Sequence, residues 1–395
     1  MTTVSGGRRV AFVALLFSAM GFAILPAAAL GILATFIIDD LSISRTTLGW
    51  VIAANVVLAA VLSPLSGRFT DRIGGKAALI SVLGLAAAGY FVFGIATAVG
   101  VLFVAAAIAA VAESGANPAT NKLIAEDLPP GERGVTTGIK QSGVQGAIMV
   151  AGLTLPTLAI AFGWRGAMLA IAALPLVAAV AASVVVPRSE AVSTPATLAG
   201  GRLPRSITGL AVYGLLFGFA GAVTFFIPLF AEESLGFDPR IGGLAVTVAA
   251  VVAFAARILW ARYSEQRGEY LGPLRSMALL GVLASALLLA STLWAWLLWP
   301  GVIITGASTS AWNSVGMLAT IDEAGPALTG RASGVVLFGF LTGLGIGPPL
   351  YGATVDATGS YSLMWVISIA AATATTGFVW VWKRQRSAAA DTAPA

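Results

Sequence analysis

Apolar residues in this chain come in long runs rather than in the short alternating stretches of half-buried strands. Twelve runs stand out, at 11–37, 47–66, 77–97, 100–124, 135–161, 165–186, 207–231, 241–263, 273–291, 296–319, 331–352 and 362–382. At 1.5 Å per residue each is long enough to cross about 30 Å of hydrocarbon as a helix. A backbone in lipid must satisfy its own hydrogen bonds, so helices are the expectation. The ten-residue alternation of a transmembrane barrel is absent.

The polar residues between the runs set the orientation. With the N-terminus inside, 17 Lys and Arg fall in inner segments: Arg8, Arg9, Arg68, Arg72, Lys76, Lys122, Arg133, Arg188, Arg202, Arg205, Arg262, Arg267, Arg275, Arg331, Lys383, Arg384 and Arg386. Outer loops hold only Arg45, Arg165 and Arg240. This bias places both ends in the cytoplasm and makes the number of spans even. Arg8 and Arg9 followed by an apolar run and Ala27-Ala28-Ala29 invite a signal-peptide reading, but the run continues to Ile38, too long for such a leader. Trp50, Trp164, Trp294, Trp296, Trp299 and Trp365 fall at outer ends, and Trp260, Trp380 and Trp382 near inner ends, as interfacial belts do. Only Trp312 lies mid-span.

Composition then narrows the chemistry. Of 395 residues, 58% are hydrophobic and 10% charged, against about 25% charged in soluble domains. A soluble enzyme and a disordered chain are both excluded. Cys and His are absent, which removes disulfides, thiol chemistry and imidazole catalysis or metal binding. No cofactor or metal site is expected. The net charge of +5 follows from the inner-loop bias, so no nucleic-acid partner is implied. The Ala/Gly/Val bias suggests a bacterial source, hence a multi-pass protein of the inner membrane.

A polar Pro/Gly/Ser-bearing linker, 187–206, follows the sixth run and divides the chain into halves, 1–186 and 207–395. The halves repeat. Asp39-Asp40 precede run two and Gly67-Arg-Phe-Thr-Asp71-Arg72-Ile-Gly74 follows it; Glu232-Glu233 precede run eight and Ala261-Arg-Tyr-Ser-Glu265-Gln-Arg-Gly268 follows it. An offset of 194 aligns Asp71 with Glu265 and Gly74 with Gly268. An offset of 196 aligns Asn117 with Asn313, Gly138 with Gly334, Gly143 with Gly339, Gly163 with Gly359 and Met168 with Met364. Parallel six-helix repeats are a transporter architecture.

The loop Gly67-x-x-x-Asp71-Arg72-x-Gly74-Gly75-Lys76, with its degraded second copy, is similar to the signature loop of the major facilitator superfamily. The resemblance covers essentially the whole chain; one departure is Gly75, where a basic residue is common. It implies an all-α membrane protein of twelve transmembrane helices in two pseudo-symmetric six-helix bundles, working by alternating access as a monomer. It also implies that the loop, with Glu265 in its second copy, latches the cytoplasmic side. From the residues themselves, Asp71 can accept bonds from a facing helix N-terminus, Arg72 and Lys76 stay at the surface, and Gly67 and Gly74 allow close approach and a tight turn. The alternative is a plain topogenic basic loop. Marks of aromatic-acid, peptide and nitrate carriers and of drug–proton antiporters elsewhere in the superfamily are missing.

Charges inside spans cost about 2.5–3.5 kcal/mol on insertion scales and are functional candidates by default. Glu113 lies near the middle of run four, with Asn117 one turn on and Pro118 expected to bend the helix. It is a candidate proton site, or a neutral Glu bonded to a neighbour. Lys140 opens run five in Gly138-Ile-Lys140-Gln141-Ser142-Gly143-Val-Gln145, where a cation with amide donors suits a small anion; the alternative is snorkelling. Arg257 in run eight, with Ala261 four residues on, is similar to the span-eight arginine of monocarboxylate and oxalate carriers. Resemblance implies that it binds a carboxylate, which suits a planar permanent cation. Ala253 replaces the acidic partner of proton-linked monocarboxylate carriers. Trp312, Asn313, Asn55, Tyr213 and Phe217 are weaker candidates, either cavity wall or helix packing. The span-eleven glycines, Gly339, Gly343, Gly345 and Gly347, are expected to let helices approach.

The expectation is a secondary transporter of a small organic anion, monocarboxylate- or cyanate-like, with Arg257 and Lys140 supplying positive charge. Asn117, Gln141, Trp312 and Asn313 would shape the site, and Glu113 would couple transport to protons. The alternatives are proton-coupled efflux of amphipathic drugs and a non-transporting sensor. No constellation suggests an enzyme.

Overall fold

The computed structural model describes residues 6–186 and 202–391, all helix, turn and short coil with no strand among them. Most of the expected linker, 187–201, lies outside the described residues. The chain falls into two compact units, Met1–Ala196 and Thr197–Ala395.

Among the described residues, ten helices are long and apolar enough to cross a membrane. One of them is two spans: the helix Pro130–Val185 contains Gly163 at φ 71°, ψ 161°, a non-helical joint that separates spans five and six. The twelfth span is hidden because it is broken. Residues 296–319 were expected to form one helix. Instead helix Leu298–Ala307 stops, and a new helix starts at Trp312 and ends at Gly325 (φ 65°, ψ 169°), where span eleven begins. Spans one and seven are also interrupted, at Leu33 between Gly6–Ile32 and Ala34–Leu41, and by a 3-10 turn at Ala222–Phe226.

Local chemistry sets several ends. Ser44 caps span two, Arg45–Ile73, by accepting from the Thr47 N–H at 3.0 Å. Asp238 accepts from the Arg240 N–H at 2.8 Å at the start of span eight, Pro239–Arg267. The repeat shows in backbone signs: Gly74 and Gly268 end equivalent helices at φ 83° and 60°, and Gly163 and Gly359 sit at 71° and 64°. Only glycine adopts these values without strain.

Within each unit the tightest crossings also repeat. A Cβ on Gly143 would meet the Phe17 carbonyl oxygen at 2.0 Å; on its partner Gly339 it would meet the Ala211 oxygen at 2.3 Å. Phe17 and Ala211 are themselves 194 residues apart. Without a hydrophobic driving force between helices in lipid, such close backbone approach is what binds them. Gly343 presses on the Leu215 oxygen in the same way, as expected for the span-eleven glycines.

The tryptophans divide. Trp50, Trp294, Trp296 and Trp380 are exposed, as a belt requires, whereas Trp164 and Trp365 are buried. Trp365 packs edge-on against Phe230 at 5.1 Å. An aromatic at a span end reads as interfacial in sequence, yet the fold can turn it inward when a large ring fills the bundle end.

Candidate functional site

The first unit builds a polar stripe on span four, Val99–Asp127. Glu113, Asn117, Thr120 and Asn121 recur at helical spacing, and the last three meet Lys140 of span five. Lys140 reaches into it. Its Nζ donates to Asn117 Oδ1 at 3.1 Å, Thr120 Oγ1 at 2.8 Å and Asn121 Oδ1 at 2.6 Å. The residue is fully buried, so it does not snorkel. An ammonium has three donors, and here all three are taken by neutral oxygens. No carboxylate lies within salt-bridge reach among the described residues. Gln141 Nε2 shares the Asn117 oxygen at 3.1 Å. Glu113 keeps apart: its Oε2 is buried with no hydrogen-bond partner among the described residues. The sequence reading missed Thr120 and Asn121, although their spacing from Asn117, three and four residues, carried the signal.

The second unit builds its polar centre at the break in span ten. Ser308, at φ −115° and ψ −89°, ends the first helix. The run Ser308-Thr309-Ser310 loosens the ladder, since Ser308 Oγ bonds the Ile304 carbonyl at 2.7 Å and Thr309 Oγ1 the Thr305 carbonyl at 3.2 Å. Gly306 lets span eight press in: a Cβ there would lie 2.3 Å from the Ala249 oxygen. Span eight then holds the freed carbonyls. Trp260 Nε1 donates to Ala307 at 2.7 Å, and Arg257 donates to Ser310 from Nε at 3.2 Å and Nη2 at 3.1 Å. Irregular backbone at membrane depth survives only with such partners.

Arg257 thereby spends two of its five N–H bonds on one carbonyl. It has no carboxylate within salt-bridge reach among the described residues. Its guanidinium sits beside the restart of the helix at Trp312, and first-turn N–H groups make such a terminus the positive end. Asn313 Oδ1 is buried there without a partner among the described residues. Of the two readings open for Trp312, its surroundings favour packing. It is buried between Tyr213 and Phe340, at 6.0 and 4.8 Å between ring centroids, with its ring over Gly316. It is core because the break turns it into the second half's own interior. Tyr213 and Phe217 belong to that core, and the Tyr213 hydroxyl donates to Leu274. Asn55 is also packing, its amide donating to Ala106 at 3.3 Å.

The signature loop is tied within its own unit. Asp71 pairs with Lys122 of span four at 3.2 Å rather than with a helix N-terminus. Lys76 is not a free surface charge: it donates to the Ser183 and Val186 carbonyls at 2.6 and 2.7 Å, capping span six. Arg72 is exposed, as is Glu265. Gly74 makes the turn. Gly67 has nothing within 4 Å of an added Cβ, so the close approach expected of it is absent, and Gly75 is the tight position, 2.8 Å from Leu123.

This chain matches the Major Facilitator Superfamily over residues 10–340 and again over 210–394. The chain belongs to that superfamily. Among curated relatives it is 24% identical to multidrug resistance protein 2 of Bacillus subtilis (strain 168) over 55% of this chain and 57% of that protein. It thus spans little more than half the length of that relative. It is 28% identical to a probable nitrate/nitrite transporter of Mycobacterium tuberculosis (strain ATCC 25618 / H37Rv), over 83% of this chain and 84% of the relative. The fold is similar to that of a bacterial homologue of the human lysosomal transporter Spinster in an inward-facing, occupied conformation. There the TM-score is 0.78 at 17% identity, over 96% of this chain and 98% of that one. The superfamily consists of multi-pass membrane transporters, not enzymes.

Proposed function

We propose that the protein is a secondary transporter of a small organic anion, of monocarboxylate or similar size, working by alternating access. The observation that carries this reading is Arg257, an intramembrane cation with no carboxylate partner among the described residues and three N–H bonds beyond those given to Ser310. A charge kept in hydrocarbon at such cost normally has a partner, and in this scheme a transported anion is that partner. The helix restart at Trp312 adds positive potential beside it. The likeness to a probable nitrate/nitrite transporter supports anion chemistry.

Lys140 acts in this scheme through its field, because its own donors are filled. Glu113 is the proton-coupling residue, supported by its buried, unpartnered oxygen. The signature loop and Glu265 tune the conformational equilibrium at the inner face. The bias of Lys and Arg supports an orientation with both ends in the cytoplasm, and in this scheme the protein works as a monomer of the inner membrane. A second reading, efflux of amphipathic drugs, is favoured by the relative named for multidrug resistance. Counterflow in proteoliposomes separates them. Uptake of a labelled small carboxylate, competed by carboxylates and not by lipophilic cations, is expected. Competition by the cations alone would overturn the anion reading in favour of efflux, and ligand binding without flux would indicate a sensor.

A further inference from the structure

A second polar feature of the C-terminal unit lies far from Arg257 in sequence and plays no part in the transport reading. Where the start of span seven meets the end of span twelve, a groove of about 670 Å³ opens. Its floor is apolar, made by Gly209, Val212, Phe378 and Val381, with Trp382 as one wall. Trp382 lies flat on Gly209, 2.6 Å from where a Cβ would stand. Val381 is exposed, so the floor runs onto the membrane-facing side of the helix.

The mouth is basic. Arg205, Gln385 and Arg386 line it, together with Glu323. Glu323 is already engaged: it pairs with Arg386 at 2.8 Å and accepts from the Tyr270 hydroxyl at 2.6 Å. Its charge is therefore cancelled by Arg386. Arg205 is exposed and has no hydrogen bond or ion pair among the described residues. Among the described residues, the mouth carries one uncompensated positive charge above an apolar floor. An occupant complementary to both needs an anionic head and an apolar tail.

We propose that this groove is a binding site for an anionic phospholipid of the surrounding leaflet, with its phosphate at Arg205 and an acyl chain along Phe378 and Val381. A free phosphate would satisfy the mouth alone and leave the floor unfilled. Basic recesses between helices at the cytoplasmic level are where anionic headgroups gather.

The test uses the full-length protein in micelles doped with phosphatidylglycerol or phosphatidylcholine, read by native mass spectrometry. The wild type should retain phosphatidylglycerol over phosphatidylcholine. Arg205→Ala should lower that retention by about fivefold, the weight of one basic residue at an anionic surface, and Arg205→Lys should restore most of it. Thr208→Trp, at an exposed position on the groove, should block retention while leaving every charge in place. Equal retention of the two lipids would overturn the proposal, as would variants that retain phosphatidylglycerol like the wild type. Displacement of the lipid by millimolar inorganic phosphate alone would also overturn it, in favour of a free-anion site.

Discussion

Span four and span ten occupy equivalent places in the repeat, and the same four positions differ in state. Adding 196 to 112–115 gives 308–311. In the first unit those residues lie inside an unbroken helix, Val99–Asp127, where Ser114 meets Ser66 of span two at 2.5 Å. In the second they are the break in span ten, and span eight supplies Arg257 and Trp260 to the loose carbonyls. The crossing is shared; the chemistry is not. Symmetry accounts for the scaffold, and departures from it mark where local rules are relaxed for function. The two intramembrane cations divide the same way: Lys140 is fully buried and saturated by its own unit, and Arg257 is half-buried and is not.

Closing the gap that allows the break should have the largest effect. Gly306→Val would drive side-chain atoms into the Ala249 oxygen, costing on the order of 3 kcal/mol, seen as a lower unfolding temperature in detergent. Next comes Arg257→Ala, expected to weaken anion binding by about 30-fold or more, since truncating one side of a buried charge pair costs about 2 kcal/mol or more. Arg257→Lys keeps the charge without the fork and should recover only part. Glu113→Gln should abolish accumulation driven by a pH gradient while anion exchange at equal pH persists; retained accumulation would remove Glu113 from the coupling scheme. Lys140→Met should fold and lower affinity by less than about fivefold, because only its field is lost. If Lys140→Met matched Arg257→Ala, the contrast between saturated and open cations would fail.

The smallest effect lies at the outer face. Arg165 pairs with Asp40 at 2.7 Å. The Arg165 hydrogen bond, aided by Trp164, holds the Asp40 carboxyl below its ordinary 3.8 against the opposing effect of burial. A depressed carboxyl stabilises the fold above its unfolded value, and that contribution is lost as pH falls through the folded one. Arg165→Ala should therefore flatten stability against pH below about pH 4, by about 1 kcal/mol or less for so exposed a pair. Unfolding temperatures across that range check it.

Much of the scaffold was legible because lipid imposes one pattern on every span. Apolar run length and the 194- and 196-residue offsets carried the all-helical fold. The break in span ten was not legible as such. Ser308, Thr309 and Ser310 are tolerated inside helices, and only the arrival of Arg257 and Trp260 from span eight makes the unwound form stable. Lys140 was legible as a charge inside a span, but its burial and saturation depend on Thr120 and Asn121 across a helix interface, which no local window reports. Trp312 stayed open between cavity wall and packing because depth in a span does not tell which face of the helix a ring takes. Asp71 was expected at a helix N-terminus, and its lysine partner is likewise a tertiary fact.

The most direct test of the account is the ligand-induced shift in unfolding temperature of the purified protein with a panel of small carboxylates and lipophilic cations. The wild type, Arg257→Ala and Lys140→Met should be measured side by side. A ligand at 100 times its dissociation constant adds about 2.7 kcal/mol, well within reach. A carboxylate-dependent shift is expected that largely survives in Lys140→Met and falls to about a third or less in Arg257→Ala. A shift given by cations, unchanged in Arg257→Ala, would contradict it.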